Sequence, residues 1–179
     1  DDFGCAYNYP YCNAGCLVAE DNWIGRCGNG LDDDCDGIPD SQEPECADEV
    51  PVKLLWPSTC GVLSAGETVR YAILVPAATA TLVDLTVEDP LDPALLNATP
   101  SPGGAIDVAT NSLIWPATDL PLGAYRSVWF SAQVDPSVSP GTPVCNQART
   151  DTAAAAPFAF TDDPTTGIPD DATCLSVSP

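Results

Sequence analysis

The sequence predicts a mainly β protein in two parts, a cysteine-rich N-terminal segment followed by an antiparallel β-sandwich. Six of the nine cysteines lie within residues 1–49, a segment with little alternating apolar pattern. From Val50 onward the pattern changes to short β-like runs separated by Pro, Gly, Asp and Thr. A segment as polar as 1–49 needs crosslinks or bound ions to fold, whereas 50–179 has enough apolar residues for a core. We therefore predict two domains, 1–49 and 50–179.

Seven segments of the second domain have the composition of strands. Their number and spacing are typical of an antiparallel sandwich. The predicted strands cover residues 51–56, 67–75, 81–88, 112–115, 124–134, 143–151 and 172–178. In the third of these, Val83, Leu85 and Val87 alternate with polar residues, which predicts one buried face and one solvent-exposed face.

The predicted strand at 124–134 alternates in the same way but has two aromatic residues on its polar face. Its predicted buried face consists of Val128, Phe130, Ala132 and Val134. Tyr125 and Trp129 fall on the opposite face. Such residues are either covered by a loop or form an exposed binding patch, and the sequence leaves both alternatives open.

The charge balance excludes several classes of partner. Twenty-six Asp and Glu residues against five Lys and Arg give a formal net charge of -21, which repels nucleic acid and anionic membranes. The apolar run at 71–78 is too short to span a bilayer and contains Pro76. The chain has no His and no Met, so if its cysteines are paired, oxygen atoms are the expected metal ligands and calcium the expected extracellular cation. The sequence contains no nucleophile motif and no zinc motif, so we do not predict an enzyme.

The acidic stretch 32–43 matches the twelve-residue calcium-loop template at each specified position. Acidic side chains stand at positions one, three, five, nine and twelve, and Gly37 at position six allows the sharp bend. The predicted calcium ligands are Asp32, Asp34, Asp36, the Ile38 carbonyl, Asp40 and Glu43. Pro39 and the nearby cysteines argue against an EF-hand with flanking helices. The alternative is a solvated acidic turn without an ion.

The stretch from Cys27 to Asp40 resembles the metal-binding motif of MopE-type secreted bacterial surface proteins, itself similar to thrombospondin type 3 calcium repeats. The resemblance covers about fourteen residues and implies calcium binding. The copper site of that family involves histidine, which this chain lacks.

Residues 63–75, 85–91 and 144–148 resemble the DUF11 family of extracellular β-sandwich repeats. This resemblance covers most of residues 50–178. It implies an immunoglobulin-like structural module of prokaryotic surface proteins with no enzymatic role.

A second acidic loop repeats the Gly-Ile-Pro-Asp phrase of the first between Gly167 and Asp170. It resembles the acidic loop that precedes the last strand in the DUF11 family. Four carboxylates are candidate ligands for a second calcium ion: Asp162, Asp163, Asp170 and Asp171. Their spacing fits no fixed template, so a solvated loop remains the alternative.

The cysteine content predicts an oxidising, extracellular or cell-surface location. An odd count of nine leaves at least one cysteine unpaired or joined to another chain. Cys145 and Cys174 are expected on strands and could pair across them, and a bond from Cys60 to the first domain is equally admissible.

Two further features of the second domain concern covalent modification. Asn97-Ala98-Thr99 is an N-glycosylation sequon in a Pro-rich segment that we predict to be a loop. Lys53, the sole lysine, and Asn146 resemble the residue pairs that form isopeptide bonds in surface sandwiches.

The leading functional hypothesis is a secreted calcium-binding structural protein, the subunit of an extracellular filament, pilus-like fibre or surface layer, with copies of itself as partners. Residues 1–11 or 175–179 are candidate donor strands for such an assembly. The alternative is an adhesin or a carbohydrate- or protein-binding accessory module, whose aromatic side chains contact the ligand. The candidate contact residues are Tyr7, Tyr9, Tyr11 and Trp129.

Overall fold

The computed structural model describes residues 50–55, 62–156, 158–163, 168 and 170–178, and within these ranges all regular secondary structure is β. The strands are β1 (Val52–Leu55), β2 (Val62–Ser64), β3 (Thr68–Pro76), β4 (Leu82–Pro90), β5 (Leu95–Pro100), β6 (Ala105–Asp107), β7 (Ser112–Leu120), β8 (Tyr125–Val134), β9 (Pro143–Asn146), β10 (Arg149–Asp151), β11 (Ala159–Phe160) and β12 (Thr173–Ser178). No helix in the described ranges is long and apolar enough to cross a membrane.

The strands form three sheets. A four-stranded sheet has the order β1-β3-β8-β5, a five-stranded sheet the order β11-β10-β4-β7-β6, and a three-stranded sheet the order β2-β12-β9. Pairing within these sheets is antiparallel except between β2 and β12, which run parallel. For residues 50–179, the predicted mainly β, antiparallel sandwich is confirmed in the part that the structure describes.

The core follows from the alternation of apolar residues along the long strands. On β3 and β8, alternate residues are buried, and the register places Tyr71 directly opposite Phe130. The two rings stack with their centroids 5.0 Å apart. The predicted buried face of β8 is confirmed. All three sheets contribute to one apolar cluster, which includes Tyr71, Leu85, Trp115, Phe130, Val144 and Leu175.

Three details of the strand prediction are wrong. The predicted strand 112–115 is only the first part of β7, which continues to Leu120. The predicted strand 143–151 is two strands, β9 and β10, which belong to different sheets. The strands β2, β5, β6 and β11 lie where no strand was predicted. All but β5 have two or three residues, too few for an alternation pattern to develop.

The predicted inward face of β4 is correct at Leu85 and Val87 but wrong at Val83, which is exposed. The pairing of β4 with β7 shifts register between Leu82 and Leu85, and Asp84 has a φ of 53°. This irregularity reverses the side-chain direction before Leu85. The backbone N–H of Asp84 donates to Asp119 Oδ1 at 3.0 Å, which holds the irregular backbone.

The C-terminal donor-strand prediction is wrong for residues 175–178. Strand β12 lies between β9 and β2, with Leu175 opposite Val144 and Val177 opposite Leu63. Because the backbone of β12 already pairs on both sides, this segment is an internal part of the fold. The other predicted donor, residues 1–11, lies outside the described residues.

Candidate functional site

Three buried polar side chains meet inside the sandwich, one from each sheet. Lys53 lies on β1, Asp89 on β4 and Asn146 at the end of β9. Lys53 and Asp89 are 0% exposed and Asn146 is 2% exposed. Lys and Asp are rarely buried to this extent unless they are paired. We call these three residues the Lys–Asp–Asn cluster.

The Asp89 carboxyl group bridges the other two members of the cluster. Lys53 Nζ donates to Asp89 Oδ2 at 2.5 Å, and Asn146 Nδ2 donates to Asp89 Oδ1 at 2.9 Å. The backbone N–H of Asp92 donates to Asn146 Oδ1 at 3.2 Å. Since both ends of the Asn146 carboxamide are hydrogen-bonded, its orientation is fixed with the nitrogen toward Asp89 and the oxygen toward Asp92.

Asp162, which lies outside the named strands, and Thr173 of β12 hold the backbone of Lys53 in place. Its N–H donates to the carbonyl of Asp162 at 2.9 Å, and its carbonyl accepts from Thr173 Oγ1 at 2.6 Å. Thr173 is in turn the register partner of Asn146 across β9 and β12. The first strand and the end of β9 are therefore connected through Thr173 as well as through Asp89.

Aromatic rings cover the Lys53 amine. Lys53 Nζ lies 4.8 Å from the centroid of the Tyr71 ring and 5.0 Å from that of Phe130. Both rings are fully buried. They separate the amine from solvent and offer it their electron-rich faces.

Burial disfavours the charged form of both partners of the ion pair. It lowers the pKa of Lys53 to about 8, although the charge of Asp89 and its hydrogen bond act in the opposite direction. Burial also raises the pKa of Asp89, against the effects of Lys53 and Asn146. A lysine amine with a lowered pKa is more readily deprotonated and thus more nucleophilic.

Sequence analysis singled out Lys53 and Asn146 but missed Asp89. The predicted strand 81–88 ends one residue before Asp89. Strand β4 continues to Pro90, and Asp89 lies on the same face as Leu85 and Val87. The alternation, continued by one more step, would have placed this carboxylate in the core.

The predicted calcium loop at residues 32–43 lies outside the described residues. Calcium binding there stays a prediction. The same is true of its predicted ligands, which are Asp32, Asp34, Asp36, Ile38, Asp40 and Glu43.

The second predicted calcium loop is described in part. The structure connects Asp162, Asp163 and Asp171: the Asp171 N–H donates to Asp162 Oδ1 at 3.4 Å, and the Asp163 N–H donates to Asp171 Oδ1 at 3.1 Å. Burial raises the pKa of Asp162, against the effect of hydrogen bonds from the Asp171 and Asp170 backbone. Among the described residues, no group of three or more His, Cys, Asp or Glu side chains is arranged to hold a metal ion. Residues 164–167 and 169 lie outside the description, and this site stays a prediction.

The two aromatic residues on the polar face of β8 are exposed. Tyr125 is 47% and Trp129 is 39% exposed. The Arg70 guanidinium, on the adjacent strand β3, lies 4.9 Å from the centroid of the Trp129 ring. Within the part of the chain that the structure describes, this exposure favours a patch over coverage by a loop, the two alternatives that the sequence left open.

A disulfide bond joins Cys145 and Cys174, which confirms the predicted pairing across strands. The two residues are register partners on β9 and β12, and their Cα atoms are 4.1 Å apart. Cys60 lies outside the described residues.

The sequon residue Asn97 lies on strand β5, so its predicted loop position is wrong. The pairing of β5 with β8 shifts register between Leu96 and Thr99, and Asn97 has a φ of 54°. Its side chain is exposed, and Nδ2 donates to Gln133 Oε1 at 3.2 Å. This irregularity explains why the segment lacks the alternation of a regular strand.

No family model and no curated protein matches the chain. Similar solved structures include an immunoglobulin-like protein from Nocardia farcinica (15% identity, 72% of this chain and 98% of that chain, TM-score 0.46). Others are the Actinomyces fimbrial adhesin FimA (14%, 68% and 53%, TM-score 0.42) and the collagen-binding domain of a Staphylococcus aureus adhesin (10%, 72% and 97%, TM-score 0.38). The matched part of FimA is thus about half its length.

Proposed function

We propose that the chain is a secreted, calcium-binding structural protein of the cell surface, with no catalytic turnover. In this proposal it assembles with copies of itself into an extracellular filament, pilus-like fibre or surface layer. The observation that carries the proposal is the reinforcement of the sandwich at one place. There the Lys–Asp–Asn cluster joins all three sheets, and the disulfide bond of Cys145 lies one residue from Asn146. Such reinforcement suits a module under mechanical load.

The calcium part of the proposal is supported by the chemistry of the predicted donors. Residues 32–43 supply five carboxylates and one backbone carbonyl at the template spacing, and hard oxygen donors of this kind suit calcium. Each bound ion would offset two of the negative charges whose repulsion opposes compaction. The proposed role is therefore the stabilisation of shape.

Electron microscopy and analytical ultracentrifugation of the full chain, with calcium and with a chelator, test the proposal. We expect ordered filaments or sheets in calcium and smaller species after chelation. Asp36→Asn should weaken assembly at limiting calcium. The exposed Asp84→Asn, which removes one charge elsewhere, should leave it unchanged. A chain that stays monomeric at high concentration in calcium would count against an assembly subunit.

A second candidate function, an adhesin or accessory binding module, is favoured by the exposed Trp129 with Arg70 beside its ring. Exposed aromatic side chains stack on sugars and anchor protein partners. A glycan array would test this candidate, with Trp129→Ala expected to abolish binding. Phe160→Ala, a change of another exposed aromatic residue on β11, is the matched control. An array without binding by the native chain would argue against a carbohydrate ligand.

A further inference from the structure

The Lys–Asp–Asn cluster contains the parts needed for a covalent reaction. An amine nucleophile, a carboxyl group and a carboxamide are held in contact inside an apolar core, at the place where the proposed structural role needs reinforcement. A buried ion pair by itself is a poor source of stability, because desolvation of the two charges offsets their attraction. The shared contact with Asp89 places the Lys53 amine beside the Asn146 carboxamide.

We propose that the protein joins Lys53 Nζ to Asn146 Cγ by an intramolecular isopeptide bond, with Asp89 as the catalytic residue. The nitrogen–carbon bond forms between the amine and the carboxamide carbon. The bond from Cγ to Nδ2 breaks, and Nδ2 leaves as ammonia. No oxidant, reductant or cofactor is needed.

The proton balance runs through Asp89. The ion pair first becomes neutral as the Lys53 ammonium transfers one proton to the Asp89 carboxylate. The neutral amine then attacks Cγ. Asp89 gives its proton to the departing Nδ2 and accepts one from the attacking nitrogen. The products are a secondary amide, ammonia and a protonated Asp89, so atoms and charge balance.

Each contact of the cluster has a place in this step. Asp89 Oδ2 contacts the nucleophile and Oδ1 contacts the leaving nitrogen, so one carboxyl group serves both proton transfers. The Asp92 N–H contacts Asn146 Oδ1, where negative charge develops as the amine attacks. The Tyr71 and Phe130 rings exclude water, which would otherwise compete for the carboxamide. Burial of the amine and the acid favours the neutral pair from which the reaction starts.

Intact-mass and peptide-map measurements on the full chain test the bond. After reduction and alkylation of the cysteines, we expect a mass about 17 Da below the value for the unlinked alkylated chain, the mass of one ammonia. Trypsin should fail to cleave after Lys53 and should release residues 27–70 covalently joined to residues 127–149. An unchanged mass with a free 54–70 peptide would overturn the proposal. A loss of ammonia with Lys53 still cleavable would indicate a cyclic imide at Asn146 and would also overturn it.

Variants test the role of Asp89, with mass and peptide map measured on the folded monomer isolated by size exclusion. Asn146→Ala should abolish the crosslink, and Asp89→Asn should abolish it or slow it by orders of magnitude. Glu88→Gln, a change of the neighbouring carboxylate on the opposite face of β4, should crosslink completely. Asp89→Glu restores a carboxyl group and should regain part of the crosslink. A complete crosslink in Asp89→Asn, or its loss in Glu88→Gln, would contradict the assignment of Asp89.

Discussion

Adjacent carboxylates on strand β4 form ion pairs in opposite environments. Glu88 faces outward and accepts from Arg149 at 2.6 Å, in a pair that remains partly exposed. Asp89 faces inward and accepts from Lys53 at 2.5 Å, in a pair without solvent exposure. The two carboxylates are consecutive in the chain, and the alternation of the strand alone separates them.

Burial decides whether each of these ion pairs stays charged. The hydrogen bond to Glu88 raises the pKa of Arg149, so the Arg149 guanidinium stays charged. Burial lowers the pKa of Lys53 despite the neighbouring Asp89, which favours a neutral pair. The surface pair is a weak electrostatic contact, whereas the buried pair is poised for proton transfer.

The largest effect is expected from breaking the buried pair. Asp89→Ala leaves the Lys53 amine without its partner in the core and removes the acceptor of the Asn146 amide. The expected loss in the free energy of unfolding is about 3 to 5 kcal/mol, measured by chemical denaturation. A loss below about 1 kcal/mol would mean that the buried pair contributes no more to the free energy of unfolding than a surface pair does.

Replacing both partners tests whether the charges themselves stabilise the fold. Lys53→Met with Asp89→Leu removes both charges and keeps apolar volume. If the pair acts only as an ion pair, the double variant should regain most of the stability lost in Asp89→Ala. If the isopeptide bond forms in the native chain, the double variant should remain clearly less stable, because it also lacks the crosslink.

The disulfide bond next to the cluster is expected to have the second-largest effect. Cys145→Ala with Cys174→Ala removes a bond between residues 29 apart in the chain. The expected loss in the free energy of unfolding is about 3 kcal/mol. Thermal unfolding with and without a reductant would compare this bond with the buried cluster. An unchanged melting temperature in the double variant would show that the cluster alone holds β9 in place.

The carboxylates of the predicted loop at residues 32–43 have calcium as their proposed partner, and a chelator removes it. At about a hundredfold excess of free calcium over the dissociation constant, binding contributes about 2.7 kcal/mol per site. A chelator should therefore lower the melting temperature and expose residues 27–46 to protease. Identical melting curves and digestion patterns with and without chelator would contradict the calcium proposal.

The smallest effect is expected at the surface pair. Glu88→Gln should change the free energy of unfolding by less than about 1 kcal/mol, and salt should reduce the difference further. Denaturation at low and high ionic strength measures both. A larger, salt-independent loss would mean that Glu88 contributes to packing on β4 as well as to the ion pair.

The sequence predicted most of the long strands because their alternation is local information, although β7 continues five residues beyond its predicted end. Strands β3, β8 and β12 begin and end within a residue of the predicted bounds. Strand β5 was missed because its residues Leu95–Pro100 lack regular alternation, and its pairing with β8 is a long-range contact. The reversed Val83 depends on the register irregularity with β7, which no local pattern signals.

The candidate site was predicted only in part because the contacts within it are long-range. Lys53 and Asn146 stand out as residue types, but their proximity depends on the folding of three sheets. Asp89 is 36 residues from Lys53 and 57 from Asn146 along the chain, so their contacts are a property of the topology. Pro90, which follows Asp89, is typical of a turn, so the predicted strand stops before Asp89.

The position of Cys145 beside Asn146 has a consequence for how the chain would carry tension. With both bonds in place, a pull that enters at Lys53 passes to Asn146, crosses one peptide unit to Cys145 and leaves at Cys174. Apart from that peptide unit, the backbone between residues 53 and 174, roughly 400 Å when fully extended, lies outside this route. A fibre of such modules would resist stretching through side-chain bonds, while the sheets themselves carried almost no load.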